Sequence, residues 1–151
     1  MSINNNKLLN YLQQNARISV SQLAKRLFVS SPSVSEKVHK LERDGYITGY
    51  LTQINVKKLG YHVKVYVSVN VEPKDKQRFT TFLTQNPNVI FADVVTGDFT
   101  MMLCALFKES EDLETFINQV QKFGRTRTNM VFSAVLGYRG VKLDEQNRAD
   151  D

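Results

Sequence analysis

Apolar positions in the first fifty residues repeat at helical spacing. Leu8, Leu9 and Leu12 share one side of a helix that Asn4, Asn5 or Asn6 caps and that ends near Asn15. A second helix starts at Ser19 or Ser21 and carries Leu23, Ala24 and Leu27 on one face. After a break at residues 28–30, a third helix runs from Ser31 and Pro32 to about Asp44, with Val34, Val38 and Leu41 at i, i+4 and i+7. Pro32 is compatible with a first turn, whose N–H groups are free in any case, and Ser30 or Ser31 supplies the cap. Gly45 ends the helix where a left-handed residue is wanted. Residues 46–51 read as a short strand–turn–strand. Two short helices joined by a tight turn, the second opened by serines, then a strand pair, form a winged helix-turn-helix pattern. Phe28 stands where such turns often have glycine.

From Val63 the period changes to two. Val63, Val65, Val67, Val69 and Val71 alternate with Lys64, Tyr66, Ser68 and Asn70, which predicts a half-buried strand. Residues 52–61 form a polar connection ahead of it. A helix over residues 74–86 follows, with Phe79, Phe82 and Leu83 inward and Pro87 closing it. Strands over residues 89–96 and 99–107 flank Gly97-Asp98, which reads as a two-residue hairpin link. Ser110 is placed to cap a helix with Leu113, Phe116, Ile117 and Val120 inward and Glu111, Asp112 and Glu114 near its positive end. Gly124 ends it, and residues 128–138 predict a last strand. Strand, helix, strand, strand, helix, strand is the ferredoxin-like βαββαβ order. The fold class is therefore α+β: residues 1–51 a winged helix-turn-helix, 52–61 a linker, 62–141 a ferredoxin-like domain, and 142–151 a polar, acidic tail with no assigned role. Both helices cover one sheet face. Nothing in the chain is left to cover the other, so Tyr66, Phe91, Phe99, Met101 and Val131 suggest sheet-to-sheet pairing with a second copy.

Charge sharpens the first domain. The 151 residues carry a net charge of +5. Residues 1–50 hold seven basic and three acidic groups, a net of +4, whereas the rest of the chain is nearly neutral. A basic helix-turn-helix points to double-stranded DNA. On the third helix, Pro32, Ser33, Glu36, Lys40 and Arg43 fall opposite the buried stripe, with Lys37 and His39 at its edges. Ser33, Glu36 and Lys37 suit base readout, and Lys40 and Arg43 suit phosphates. Ser31, Ser35 and His39 on the same helix, with Ser21 and Lys25 on the second, complete the candidate DNA-binding set. Glu36 suits a cytosine amino group, or equally a helix-surface pairing with Lys40.

Other classes fare less well. The longest apolar run, Met101–Phe107, is far short of the roughly 20 residues of a membrane span, and the polar N-terminus does not suggest a leader. A single cysteine, Cys104, and the absence of such a leader fit a reducing cytoplasm. No His pairs with an acid or Cys, no metal-ligand spacing occurs, and no glycine-rich phosphate loop is present, so neither catalysis, a cofactor nor a metal is expected. A ligand sensor with incidental or architectural DNA affinity is the rival reading. An RNA-binding sheet is a further one, weakened by the near-neutral second domain.

The residues Arg17-Ile18-Ser19, Leu23-Ala24-Lys25-Arg26, Ser30-Ser31-Pro32-Ser33-Val34, Val38, Leu41-Glu42, Gly45-Tyr46-Ile47-Thr48-Gly49-Tyr50, Leu59-Gly60 and Val95-Thr96-Gly97-Asp98-Phe99, in this order and spacing, resemble the Lrp/AsnC (feast/famine) family of transcription regulators. The likeness runs from Leu8 to about Gly140. It implies a nucleoid-associated regulator that dimerises through the second domain's sheets, often builds octamers, and reads pseudo-palindromic DNA. It also implies an amino acid or similar effector at the second domain, which here points to Gly97, Asp98 and Thr100. Relatives usually read Gly-Asp-aromatic-Asp at this loop; here the second acid is replaced by Thr100.

Overall fold

A computed structural model describes residues 3–146. The chain divides into two compact units, one formed by the chain up to Gln53 together with the segment returning from Leu136, the other by Ile54–Val135.

In the first unit, α1 (Asn5–Gln14), α2 (Val20–Leu27) and α3 (Ser31–Arg43) form where the periodicity places them. Each opens on a side-chain cap. Asn4 accepts from Lys7 N–H, Ser19 and Gln22 form a reciprocal capping box, and Ser30 accepts from Ser33 N–H. Leu8, Leu23, Ala24, Val34 and Leu41 make one core, with Leu12, Ile18, Leu27, Val38 and Ile47 against it. Phe28 takes the left-handed conformation (φ 57°) that a glycine would normally supply, and its N–H closes α2.

The strand–turn–strand expected over residues 46–51 is not formed; this stretch contains no strand. The N–H groups of Tyr46 and Ile47 both donate to the Leu41 carbonyl, and Tyr50 Oη donates to Glu42, so the chain folds back on the end of α3.

The second unit is a four-stranded antiparallel sheet in the order β2-β3-β1-β4, from β1 (Val63–Val71), β2 (Val89–Val94), β3 (Met101–Phe107) and β4 (Gly124–Met130). With α4 (Lys76–Gln85) and α5 (Ser110–Val120) it is the ferredoxin-like arrangement. Alternate residues of β1 and β3 meet Phe79, Leu83, Phe116 and Val120 in a second core. Met101 belongs to this core. It is opposite Val69, which faces the helices, so the pleat places it away from the open face where the sequence had put it. Tyr66 and Phe91 do share the open face, their ring centroids 6.2 Å apart, and Phe91 and Met102 stand partly in water there.

Three boundaries shift. The β2–β3 connection is a four-residue turn, residues 96–99, closed by Val95 N–H to the Thr100 carbonyl, because Thr100 N–H is drawn instead to Val69 of β1. Ser110 is the first residue of α5; Glu109 holds the cap position and makes no side-chain cap bond. β4 begins four residues earlier than expected and ends at Met130. Its register starts with Gly124 opposite Val71, and a Cβ at Gly124 would collide with the Asn70 carbonyl. The last bond, Val131 N–H to Lys64 carbonyl, exhausts the available length of β1.

The expected tail is partly described. Residues 141–145 lie along α1 through several hydrogen bonds, whereas residues 147–151 fall outside the described residues. Among the described residues, no helix is long and apolar enough to cross a membrane, and no three His, Cys, Asp or Glu side chains are grouped to hold a metal.

Candidate nucleic-acid interface

Val34 and Leu41 are buried against the other two helices, which turns the opposite side of α3 to solvent. There Ser33, Glu36, Lys37, Lys40 and Arg43 line one shallow depression of about 230 Å³, with Ile3 at its edge. These five are among the candidates named from sequence. Ser21 and Lys25 are exposed on α2, Ser31 is exposed at the start of α3 and Ser35 is half-buried; none of these lines the depression.

Charge pairing separates the candidates further. Among the described residues, Lys37, Lys40 and Arg43 make no ion pair, and none joins Glu36 to Lys40, so the helix-surface alternative for Glu36 is not realised. Among the described residues, the depression thus presents three unpaired cations and one unpaired carboxylate. Ser33 Oγ lies 2.7 Å from Ser30 Oγ at the helix start. His39 is exposed but engaged: its Nδ1 lies 3.2 Å from Glu42 Oε2. Tyr50 Oη donates to the other Glu42 oxygen at 2.8 Å. The Tyr50 bond first, then His39, holds the Glu42 carboxyl below its usual range. Partial burial, then the Glu42 bond, pushes the Tyr50 hydroxyl up. His39, Glu42 and Tyr50 therefore fasten the chain after α3 to that helix.

The candidate effector residues do not converge. Gly97 (φ 116°) makes the left-handed bend of the exposed 96–99 turn, and Asp98 sits beside it. Thr100 Oγ1 is turned onto β1: it accepts from Val71 N–H at 2.8 Å and lies 3.2 and 3.3 Å from the Val69 and Val71 carbonyls. The hydroxyl is spent on the end of β1, an inner strand of the sheet. Sequence reading missed a neighbouring group. The guanidinium carbons of Arg125 and Arg127 stand 4.8 and 5.3 Å from the centroid of the Phe99 ring, and Arg125 also donates to the Asp98 carbonyl. The i, i+2 spacing of the two arginines is the available signal, hidden because the alternation that predicts the strand starts only at residue 128, beyond them. Cys104 is fully buried on β3, and burial pushes its thiol up, away from the reactive thiolate.

A basic three-helix unit with one side of its third helix open to solvent, followed by a ferredoxin-like unit, defines a helix-turn-helix DNA-binding protein with a separate second domain. Residues 1–48 match the winged helix-turn-helix DNA-binding model, and residues 64–141 match the Lrp/AsnC ligand binding domain. The chain is 31% identical to the HTH-type transcriptional regulator LrpC of Bacillus subtilis over 85% of its own length and 89% of the relative's. It is 34% identical to the HTH-type regulator YezC of the same organism, covering 85% and 91%. The structure of B. subtilis LrpC superposes with a TM-score of 0.83 at 29% identity, over 91% of this chain and all of that one. The Neisseria meningitidis regulator NMB0573, solved as a complex with L-Met, shares the fold with a TM-score of 0.84 at 17% identity, over 91% and 93%. The chain belongs to the Lrp/AsnC family of transcription regulators.

Proposed function

We propose that this regulator binds DNA by inserting α3 into the major groove, with Ser33, Glu36 and Lys37 toward base edges and Lys40 and Arg43 toward phosphates. Ser21, Lys25, Ser31 and Ser35 border this surface on the same two helices, and His39 serves it indirectly by holding Glu42. The observation that carries the reading is the solvent-open depression on α3, which gathers Glu36 and three cations, unpaired among the described residues, on a helix anchored from behind by Val34 and Leu41. Two such helices are brought together by pairing of the open sheet faces around Tyr66 and Phe91, and such dimers can assemble further, to octamers. An amino acid or similar effector binds the second domain at the Gly97-Asp98 turn. The L-Met held by a protein of the same fold supports an effector of this size. The site of action is the cytoplasm, on the nucleoid.

The test is binding of the full chain to a random-sequence duplex as salt is raised, beside the triple variant Lys37→Ala, Lys40→Ala, Arg43→Ala. The wild-type affinity should fall steeply with salt, because phosphate contacts release counterions. The triple variant should bind more weakly and with a clearly shallower salt dependence. Equal affinity and equal salt dependence would place the DNA contacts elsewhere.

A further inference from the structure

Four side-chain amides of α1 and its cap donate to the backbone of one stretch near the C-terminus. Asn4 Nδ2 reaches the Glu145 carbonyl at 2.7 Å, Asn6 Nδ2 that of Asp144 at 2.6 Å, Asn10 Nδ2 that of Leu143 at 2.9 Å, and Gln13 Nε2 that of Val141 at 3.0 Å. Asn6, Asn10 and Gln13 are spaced i, i+4, i+7, so they form one stripe along the helix. The order is antiparallel, with rising numbers on α1 meeting falling numbers on the tail.

Asn10 is the centre of the ladder. It is only 7% exposed, and its Oδ1 also accepts Leu143 N–H at 2.9 Å. Its amide thus pairs with both polar backbone groups of Leu143, as a neighbouring strand would. The ladder's four amide-to-carbonyl contacts and the Leu143 N–H bond all read main chain. Asn10 Nδ2 also reaches a tail side chain, Glu145 Oε1, at 3.1 Å.

Two further observations tie this contact to DNA binding. The Glu145 and Asp144 carbonyls accept from Asn4 and Asn6, the cap and second residue of α1, so the tail braces the start of that helix. The helix they support packs Leu8 into the same core as Val34 and Leu41 of α3, and Ile3, just before its cap, borders the depression on α3.

We infer that the amide stripe of α1 is a docking site for a peptide backbone, that its occupant is this chain's own residues 141–145, and that docking is needed for full DNA affinity. The tail is a fourth element of the DNA-binding unit. The two matched family segments stop at residues 48 and 141, so they assign no role to Leu143–Glu145 contacts. The affinity part rests on the DNA reading above; the docking part does not.

The experiment compares the full chain with Leu143→Pro, which removes the N–H that Asn10 accepts, with Asn10→Ala, and with the control Lys142→Ala. Amide hydrogen exchange in α1 and binding to one duplex at fixed salt are measured on each. Leu143→Pro and Asn10→Ala should each speed α1 exchange about tenfold and weaken DNA binding severalfold, the double variant no more than either alone. Lys142→Ala should match wild type. Should Asn10→Ala unfold, Leu143→Pro still decides, since it alters the tail alone. Unchanged α1 exchange in Leu143→Pro overturns the docking site. Faster exchange with unchanged DNA affinity overturns its link to DNA, and a wild-type chain that binds no DNA overturns the reading on which that link rests.

Discussion

Phe28 shows how a single residue can satisfy a turn at a cost. A bulky side chain at φ 57° is disfavoured by roughly 1–2 kcal/mol, yet the ring is 85% exposed and contributes little burial in return. Phe28→Gly should therefore stabilise the first unit by about 0.5 kcal/mol after the entropy of glycine is counted, as read by denaturant unfolding. A loss of stability would mean that the ring does more than its exposure indicates. Glu42 makes a second residue-scale prediction. Its carboxyl titrates below the usual carboxylate range because of Tyr50 and then His39, so the native tether is at full strength above that ordinary range and is lost as pH falls through the depressed value. In Tyr50→Phe, the Glu42 carboxyl should titrate closer to its ordinary range, by NMR; an unmoved titration would remove the hydroxyl as the main cause.

At the scale of elements, the proposed DNA complex divides the contacts of α3 by chemistry. Replacing Arg43 with Ala should weaken binding to all duplexes alike and reduce the salt slope by about two for a dimer, one contact per copy. Glu36→Ala should instead relax preference at one base pair and leave the slope unreduced. Binding curves across salt on matched and mismatched duplexes distinguish the two; a specificity change with Arg43→Ala would reverse the assignment. The same scale shows what the sequence could and could not display. Helices α1 to α3 were legible because their caps, Asn4, Ser19 and Ser30, and their apolar stripes agree. β1 was legible because one of its faces is wholly valine. β4 was not: Arg125, Thr126, Arg127, Thr128 and Asn129 form an edge strand with no apolar alternation, and only pairing with β1 makes it a strand. The grouping of Ser33, Glu36, Lys37, Lys40 and Arg43 on the open side of α3 follows from helical projection alone. The Phe99–Arg125–Arg127 group and the α1 ladder did not, since each joins residues distant in sequence.

At the scale of the molecule, one face of the ferredoxin-like sheet is sealed by α4 and α5, while the other leaves Phe91 43% and Met102 39% exposed. Apolar surface of this kind is stabilised by a partner. Phe91→Glu should convert the assembly to monomers, by sedimentation, with the helix-covered core and overall fold retained by circular dichroism. An unchanged oligomer would exclude this face as the interface. In the dimer proposed above, two copies of α3 on a twofold axis require half-sites spaced by about one helical turn or a multiple of it.

The central claim is that α3 reads sequence through a symmetric pair of basic helices. The most direct measurement is selection of bound duplexes from a random pool by the full chain, followed by sequencing, with and without a panel of amino acids. A pseudo-palindromic site with half-sites about one turn apart, its enrichment altered by at least one amino acid, is the predicted result. Salt-sensitive binding with no enriched sequence would contradict it.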